Sequence, residues 1–155
     1  MPRPASSFAI ALAIVLVAGC RDRPTGPRPI EDEYDAVQAN GSVLPTSIFY
    51  YVTRERIRLL RASLALRAPG TLVLVLQTAY VDPLGIESPP ASDTIRALYV
   101  VNGSMLEFSP LGSLPPRVTS PATIAPDGSI DLTALRPQPP STGYGVYQIQ
   151  LRFRR

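Results

Sequence analysis

Residues 144–154 read YGVYQIQLRFR, with Tyr147, Ile149, Leu151 and Phe153 on one side and Gln148, Gln150, Arg152 and Arg154 on the other. Successive side chains of a strand point to opposite faces, so this period of two predicts a half-buried strand. The same grammar repeats upstream. Residues 123–125 and 129–134 are short apolar runs around Pro126-Asp127-Gly128, which predicts a hairpin. Residues 94–101 and 104–108 flank Asn102-Gly103, and an Asn-Gly pair between apolar runs is a strong hairpin signal. Residues 71–81 (TLVLVLQTAYV) are apolar at both parities as far as Gln77, which predicts a strand covered on both faces. Residues 82–93, 110–121 and 137–143 are proline-bearing loops.

Residues 54–66 begin with Arg54, Arg56 and Arg58 opposite Ile57 and Leu59, slip at Leu59-Leu60, and resume at Leu64 and Leu66. A bulge or break near 60–62 accounts for the slip. A helix over 55–66, aligning Ile57, Leu60 and Leu64, is the competing reading. Residues 34–39 and 47–53 complete the set, the first ending at Asn40-Gly41. The expected fold is all-β: a small antiparallel barrel or sandwich of about eight strands over residues 34–155.

The front of the chain has a different character. Arg3 precedes residues 8–18 (FAIALAIVLVA), an unbroken apolar run of 11. A spanning helix needs about 20 residues, so the run fits the core of an export signal instead. It ends at Val17-Ala18-Gly19-Cys20, which resembles the lipobox of bacterial lipoproteins. That resemblance covers residues 1–20. It implies cleavage between Gly19 and Cys20 and a lipid on the Cys20 sulfur, so residues 1–19 would be a signal peptide. Cys20 is the only cysteine of the chain, so no internal disulfide is available to it. Residues 20–33 then supply the lipidated Cys and a Pro-rich tether. From residue 34 on, the order of strands and turns resembles small lipocalin-like lipoprotein domains, in Tyr34 and Val37 before Asn40-Gly41, Leu44-Pro45 after it, and the closing Tyr-x-Ile-x-Leu-x-Phe.

Composition removes much chemistry. The 15 positive residues are all Arg, there is no His, and the formal net charge is +3. Without His, the usual Ser-His-Asp and Cys-His arrangements are excluded, and so is the commonest metal ligand. Without Lys there is no Schiff-base chemistry. With Cys20 committed to lipid, no thiolate remains. No glycine-rich phosphate loop occurs and no dense basic face points to nucleic acid. Glu31, Asp32, Glu33 and Asp35 form the densest acidic cluster, read as a solvated junction rather than a cation site. Asp127 and Asp131 read as turn residues. No metal, cofactor or catalytic residue is expected, although a carboxylate-dependent hydrolase is the enzymatic alternative.

Two groups are candidates for binding. Tyr51, Tyr80, Tyr99 and Tyr147 could line an apolar ligand pocket, since Tyr combines an apolar body with a polar tip. Arg54, Arg56 and Arg58 could meet an anionic surface, or simply guard a strand edge. The expected function is a non-catalytic, lipid-anchored lipoprotein of the cell envelope. It would bind a small apolar ligand or a partner protein, or serve a purely structural role. In the lipoproteins that the lipobox resembles, Asp directly after the lipidated Cys retains the protein at the inner membrane; Arg21 follows Cys20 here, so the resemblance implies the periplasmic face of an outer membrane where the organism has one.

Overall fold

The computed structural model describes residues 32–50, 54–112, 117–137 and 146–155. The expected signal peptide, Cys20, residues 21–31 of the expected tether and Tyr51 lie outside the described residues, whereas Asp32 and Glu33, the last two residues of that tether, belong to the first strand. Ten strands follow one another: β1 (Asp32–Ala39), β2 (Ser42–Val43), β3 (Thr46–Tyr50), β4 (Arg56–Arg67), β5 (Thr71–Val81), β6 (Ala91–Asn102), β7 (Met105–Pro110), β8 (Ala122–Ile124), β9 (Ile130–Pro137) and β10 (Val146–Arg154). Every neighbouring pair is antiparallel. The order is β2-β1-β10-β9-β8-β7-β6-β5-β4-β3, and β1 also pairs with β4. That last pairing closes an eight-stranded barrel, with β2 and β3 as additions. Closure removes the free edges that a sandwich would have to protect.

The alternation read from residues 144–154 sets the inside and outside of the wall. Tyr147, Ile149, Leu151 and Phe153 are buried, and the residues between them are exposed. Inward positions of neighbouring strands meet in rows, such as Leu64–Leu74–Ile95 and Leu66–Leu72–Ala97. Twenty-four buried residues of the barrel strands and their flanks form one core cluster that lines the interior of the wall.

The helical alternative for 55–66 fails. β4 is a strand, and its register against β5 shifts between Leu59 and Arg61. Before the shift odd residues face in (Leu59); after it even residues do (Ala62, Leu64, Leu66). A bulge at Leu60 thus keeps the apolar set inside on both sides of the slip. Arg54 is not part of this strand; it sits ahead of it with φ 72.

β5 is not covered on both faces, as its composition had implied. Leu72, Leu74 and Leu76 are buried while Thr71, Val73, Val75 and Gln77 are half-buried on the outer wall. Only Ala79 and Val81 are buried on the outside, where residues 82–88 fold back: Val81 bridges Glu87, and Ser88 N–H donates to the Tyr80 carbonyl at 2.8 Å. The sequence run was apolar because a barrel wall tolerates valine outside, not because a second layer covers it.

The turns also differ in detail. Asn40 (φ 49) and Gly41 (φ 78) both take positive φ, the type I′ pattern. At the other Asn-Gly pair, Asn102 still pairs with Met105, so the two-residue turn is Gly103-Ser104, with positive φ at Gly103 (φ 61). Glycine first in the turn is the type II′ pattern, one residue later than the sequence suggests.

The acidic junction becomes the closing seam. Asp32, Glu33, Tyr34 and Asp35 of β1 pair with Leu66, Ala65, Leu64 and Ser63 of β4. Arg61 donates to Asp35 at 2.8 Å and Arg67 to Glu33 at 2.7 Å. Ser63 and Ala65 are small, which lets the longer Arg side chains reach diagonally across the seam. Arg155 pairs with Asp32, and its guanidinium lies 5.5 Å from the Tyr34 ring centroid. These pairs are largely exposed, so water and salt screen them and each adds little to stability. They specify which strands meet more than they stabilise the meeting.

Candidate functional site at the barrel mouth

The two ends of the barrel differ. The short turns at residues 68–70, 103–104 and 125–129 close one end. The longer connections leave from the other, and there the inward positions become polar. Thr78 of β5 faces in beside Leu59, and Asp93 of β6 faces in opposite Leu76. Arg136 of β9 faces in beside Tyr147 of β10. Arg117 comes from the segment before β8, which is tied to β9 by Leu135 N–H donating to the Arg117 carbonyl at 2.7 Å.

These residues converge. Arg117 binds Asp93 as a fork, Nη1 to Oδ1 at 3.1 Å and Nη2 to Oδ2 at 2.6 Å. Arg136 Nε lies 3.3 Å from the same Oδ2. Arg136 Nη1 also donates to Thr78 Oγ1 at 3.3 Å, reaching from β9 to β5 across the barrel. Arg117 Nε donates to the Leu135 carbonyl at 3.4 Å. Two guanidinium groups therefore share one carboxylate oxygen and lie no more than about 6 Å apart. At an effective dielectric near 20, their mutual repulsion is about 3 kcal/mol before solvent screening. Asp93, in contact with both, attracts each of them by more than this, and the three charges together leave a net +1. All three side chains keep some contact with water, at 35, 22 and 20% exposure for Arg117, Asp93 and Arg136.

The hydrogen bond from Arg117 holds the Asp93 carboxyl below the usual range; burial opposes this, and the charges of Arg117 and Arg136 reinforce it. A carboxyl whose pKa is lower folded than unfolded stabilises the fold above its unfolded value of 3.8. That contribution disappears as pH falls through the folded value. Asp131, hydrogen-bonded by Arg152, is lowered in the same sense. Thermal unfolding followed from pH 7 to pH 2 should show a flat midpoint down to about 4 and a steady fall below it. In Asp93→Asn the fall should be shallower.

An aromatic pair stands beside the cluster. Phe49 of β3 and Tyr147 of β10 have ring centroids 4.9 Å apart. Among the described residues no ladder joins β3 to β10, so these rings bridge the wall where backbone pairing stops. Below them Asn40 ends the gap: its N–H donates to the Gln150 carbonyl at 2.8 Å, and its side-chain oxygen accepts from Gln150 N–H at 2.9 Å.

The sequence candidates divide. Tyr147 lies at this mouth and is buried. Tyr80 belongs to the same end but is 39% exposed. Tyr99 is buried near the opposite end, where its N–H donates to the Gly70 carbonyl at 2.7 Å. Tyr99 therefore does not share a lining with Tyr80 and Tyr147, and Tyr51 lies outside the described residues. Of the arginines, Arg54 lies outside the strand, and Arg58 is bound to Glu87 at 2.9 Å. Asp93, Arg117 and Arg136 were missed. They lie on separate segments, with Arg96 the other charged residue of β6 and Asp131 that of β9, and no spacing rule links β6, β9 and the approach to β8.

Elsewhere on the barrel, a shallow depression of about 500 Å³ lies on the outer wall, floored by Ser63, Ala65, Val73 and Val75 and rimmed by the seam ion pairs. Among the described residues no group of three or more His, Cys, Asp or Glu could hold a metal, and no helix is long and apolar enough to cross a membrane. Comparison with protein-family models, with curated proteins and with solved structures gives no match to this chain.

Proposed function

We propose that this chain is a lipid-anchored lipoprotein of the cell envelope whose β-barrel is a non-catalytic binding module, working through its mouth and outer wall rather than through an enclosed cavity. The observation that carries the binding mode is where polarity lies: inward side chains of every barrel strand belong to one buried apolar cluster, and Asp93, Arg117 and Arg136 converge at the mouth above it. Recognition then falls to the polar mouth, where charged and aromatic groups are half-exposed.

The anchoring half of the proposal rests on the residue 8–18 apolar run and the Val17–Cys20 pattern. The fold is compatible with it. β1 begins at Asp32, beside Leu66 and next to the short-turn end. A tether entering there leaves the mouth at the far end, away from the membrane. Arg21 behind Cys20 favours the outer membrane. A second reading, docking of another envelope protein, draws on Leu98, Val100 and Met105, which are exposed together on the outer wall of β6 and β7.

Cys20→Ala tests the anchor. Membrane fractions of the expressing cell should retain the wild-type chain, and the variant should appear in the soluble fraction. Retention of the variant on membranes would sink the lipid-anchor reading, because dual or triple acylation is what makes such attachment stable.

A further inference from the structure

From the arrangement at the mouth we infer that Arg117 and Arg136 form a binding site for a small organic carboxylate with an apolar or aromatic body. The inference rests on the mouth being the recognition surface and deepens it by naming the ligand class. Two guanidinium groups converge on one oxygen of Asp93, at 2.6 and 3.3 Å. Among the described residues the inward cluster carries two positive charges and one negative. A single monoanion balances it. Guanidinium forks are suited to carboxylates because two parallel N–H groups match the two oxygens.

Position supports the assignment. Arg136 is held at Thr78, and Arg117 is held at the Leu135 carbonyl, so both cations are placed before any ligand arrives. Such preorganisation lowers the ordering cost of binding. Tyr147 is the direct ladder partner of Arg136, and Phe49 packs on Tyr147. An apolar body attached to the carboxylate would lie against these rings. Glu55, ahead of β4, and Asp82 and Glu87, after β5, are further acidic side chains at this end among the described residues; Arg58 binds Glu87. The ion pairs of Arg117 and Arg136 among the described residues go to Asp93.

The probe is benzoate, with benzyl alcohol as its neutral analogue and inorganic phosphate as a competing anion. They are titrated into the full chain at neutral pH, by calorimetry and by amide-resolved NMR. Benzoate should bind saturably, at least about tenfold tighter than benzyl alcohol or phosphate. Amide shifts should gather at Thr78, Asp93, Arg136 and Tyr147. Arg117→Gln should weaken binding by about tenfold, and Asp93→Asn, which removes the competing carboxylate, should tighten it. Equal binding of benzoate and benzyl alcohol overturns the proposal. So does a preference for phosphate, or shifts confined to the outer wall. The NMR map of the wild-type chain decides the matter even if a variant fails to fold. Benzoate binding does not depend on Cys20, so its failure is distinct from a failure of anchoring.

Discussion

Phe153→Ala should lower the free energy of unfolding by about 3–5 kcal/mol, the range for deleting a fully buried aromatic ring. Phe153 is 0% exposed and is the largest of the fully buried side chains. It stands in β10 opposite Ala36 of β1 on one side and Ile130 of β9 on the other. Both cross-strand neighbours are smaller, and neither can swing into the space the ring leaves. The cost therefore includes a cavity as well as lost burial. Equilibrium urea unfolding would measure it, with the slope unchanged and the midpoint moved. Phe153→Leu, which retains most of the volume, should cost less than half as much. A loss below about 1 kcal/mol for the alanine variant would mean that the core is not packed around this ring.

Gly70→Ala should be the other severe change, although it adds only one methyl group. Gly70 has φ 127, outside the region that a residue with a side chain adopts at low cost. A β-carbon built there lies 2.9 Å from the Tyr99 carbonyl oxygen. That oxygen is backbone and cannot rotate away. The glycine is also tied in both directions, donating to the Arg67 carbonyl at 2.9 Å and accepting from Tyr99 N–H at 2.7 Å. Strain of this kind costs about 1–3 kcal/mol before the clash is added. The turn after β4 should therefore shift bodily, with amide hydrogen exchange accelerated in residues 66–72 and at Tyr99. Gly41→Ala is the internal control. Its φ is also positive, but nothing lies within 4 Å of the added carbon, so it should cost only the backbone strain.

The fold was legible where one face of the wall differs chemically from the other. Gln148, Gln150 and Arg152 against Ile149, Leu151 and Phe153 leave one register only. The slip at Leu59-Leu60 was legible for the same reason, since a bulge is the cheapest way to restore the alternation. The choice between barrel and sandwich was not. It depends on whether Asp32, Glu33 and Asp35 meet β4, and nothing local in those residues says where their partners lie. The outer face of β5 misled for a physical reason: Val73 and Val75 are half-buried among the seam side chains, which looks in sequence like full burial. The site was the least legible part. Asp93, Arg117 and Arg136 come together only because three separated segments reach one rim, and pairing at that distance leaves no periodic trace.

Barrel closure has a consequence in time. β1, the first of the described strands to be synthesised, hydrogen-bonds to β10, the last of them, with Ala39 opposite Leu151. The meander from β4 to β10 can form step by step, each hairpin on the one before. β1 must wait with one edge unsatisfied until β10 emerges, and contacts of such long range slow folding. During that interval the chain is a curved open sheet with two sticky margins, open to aggregation or capture by a chaperone. A protein tethered by its front end would pass this stage held close to the membrane surface, with its neighbours kept at the spacing of their anchors.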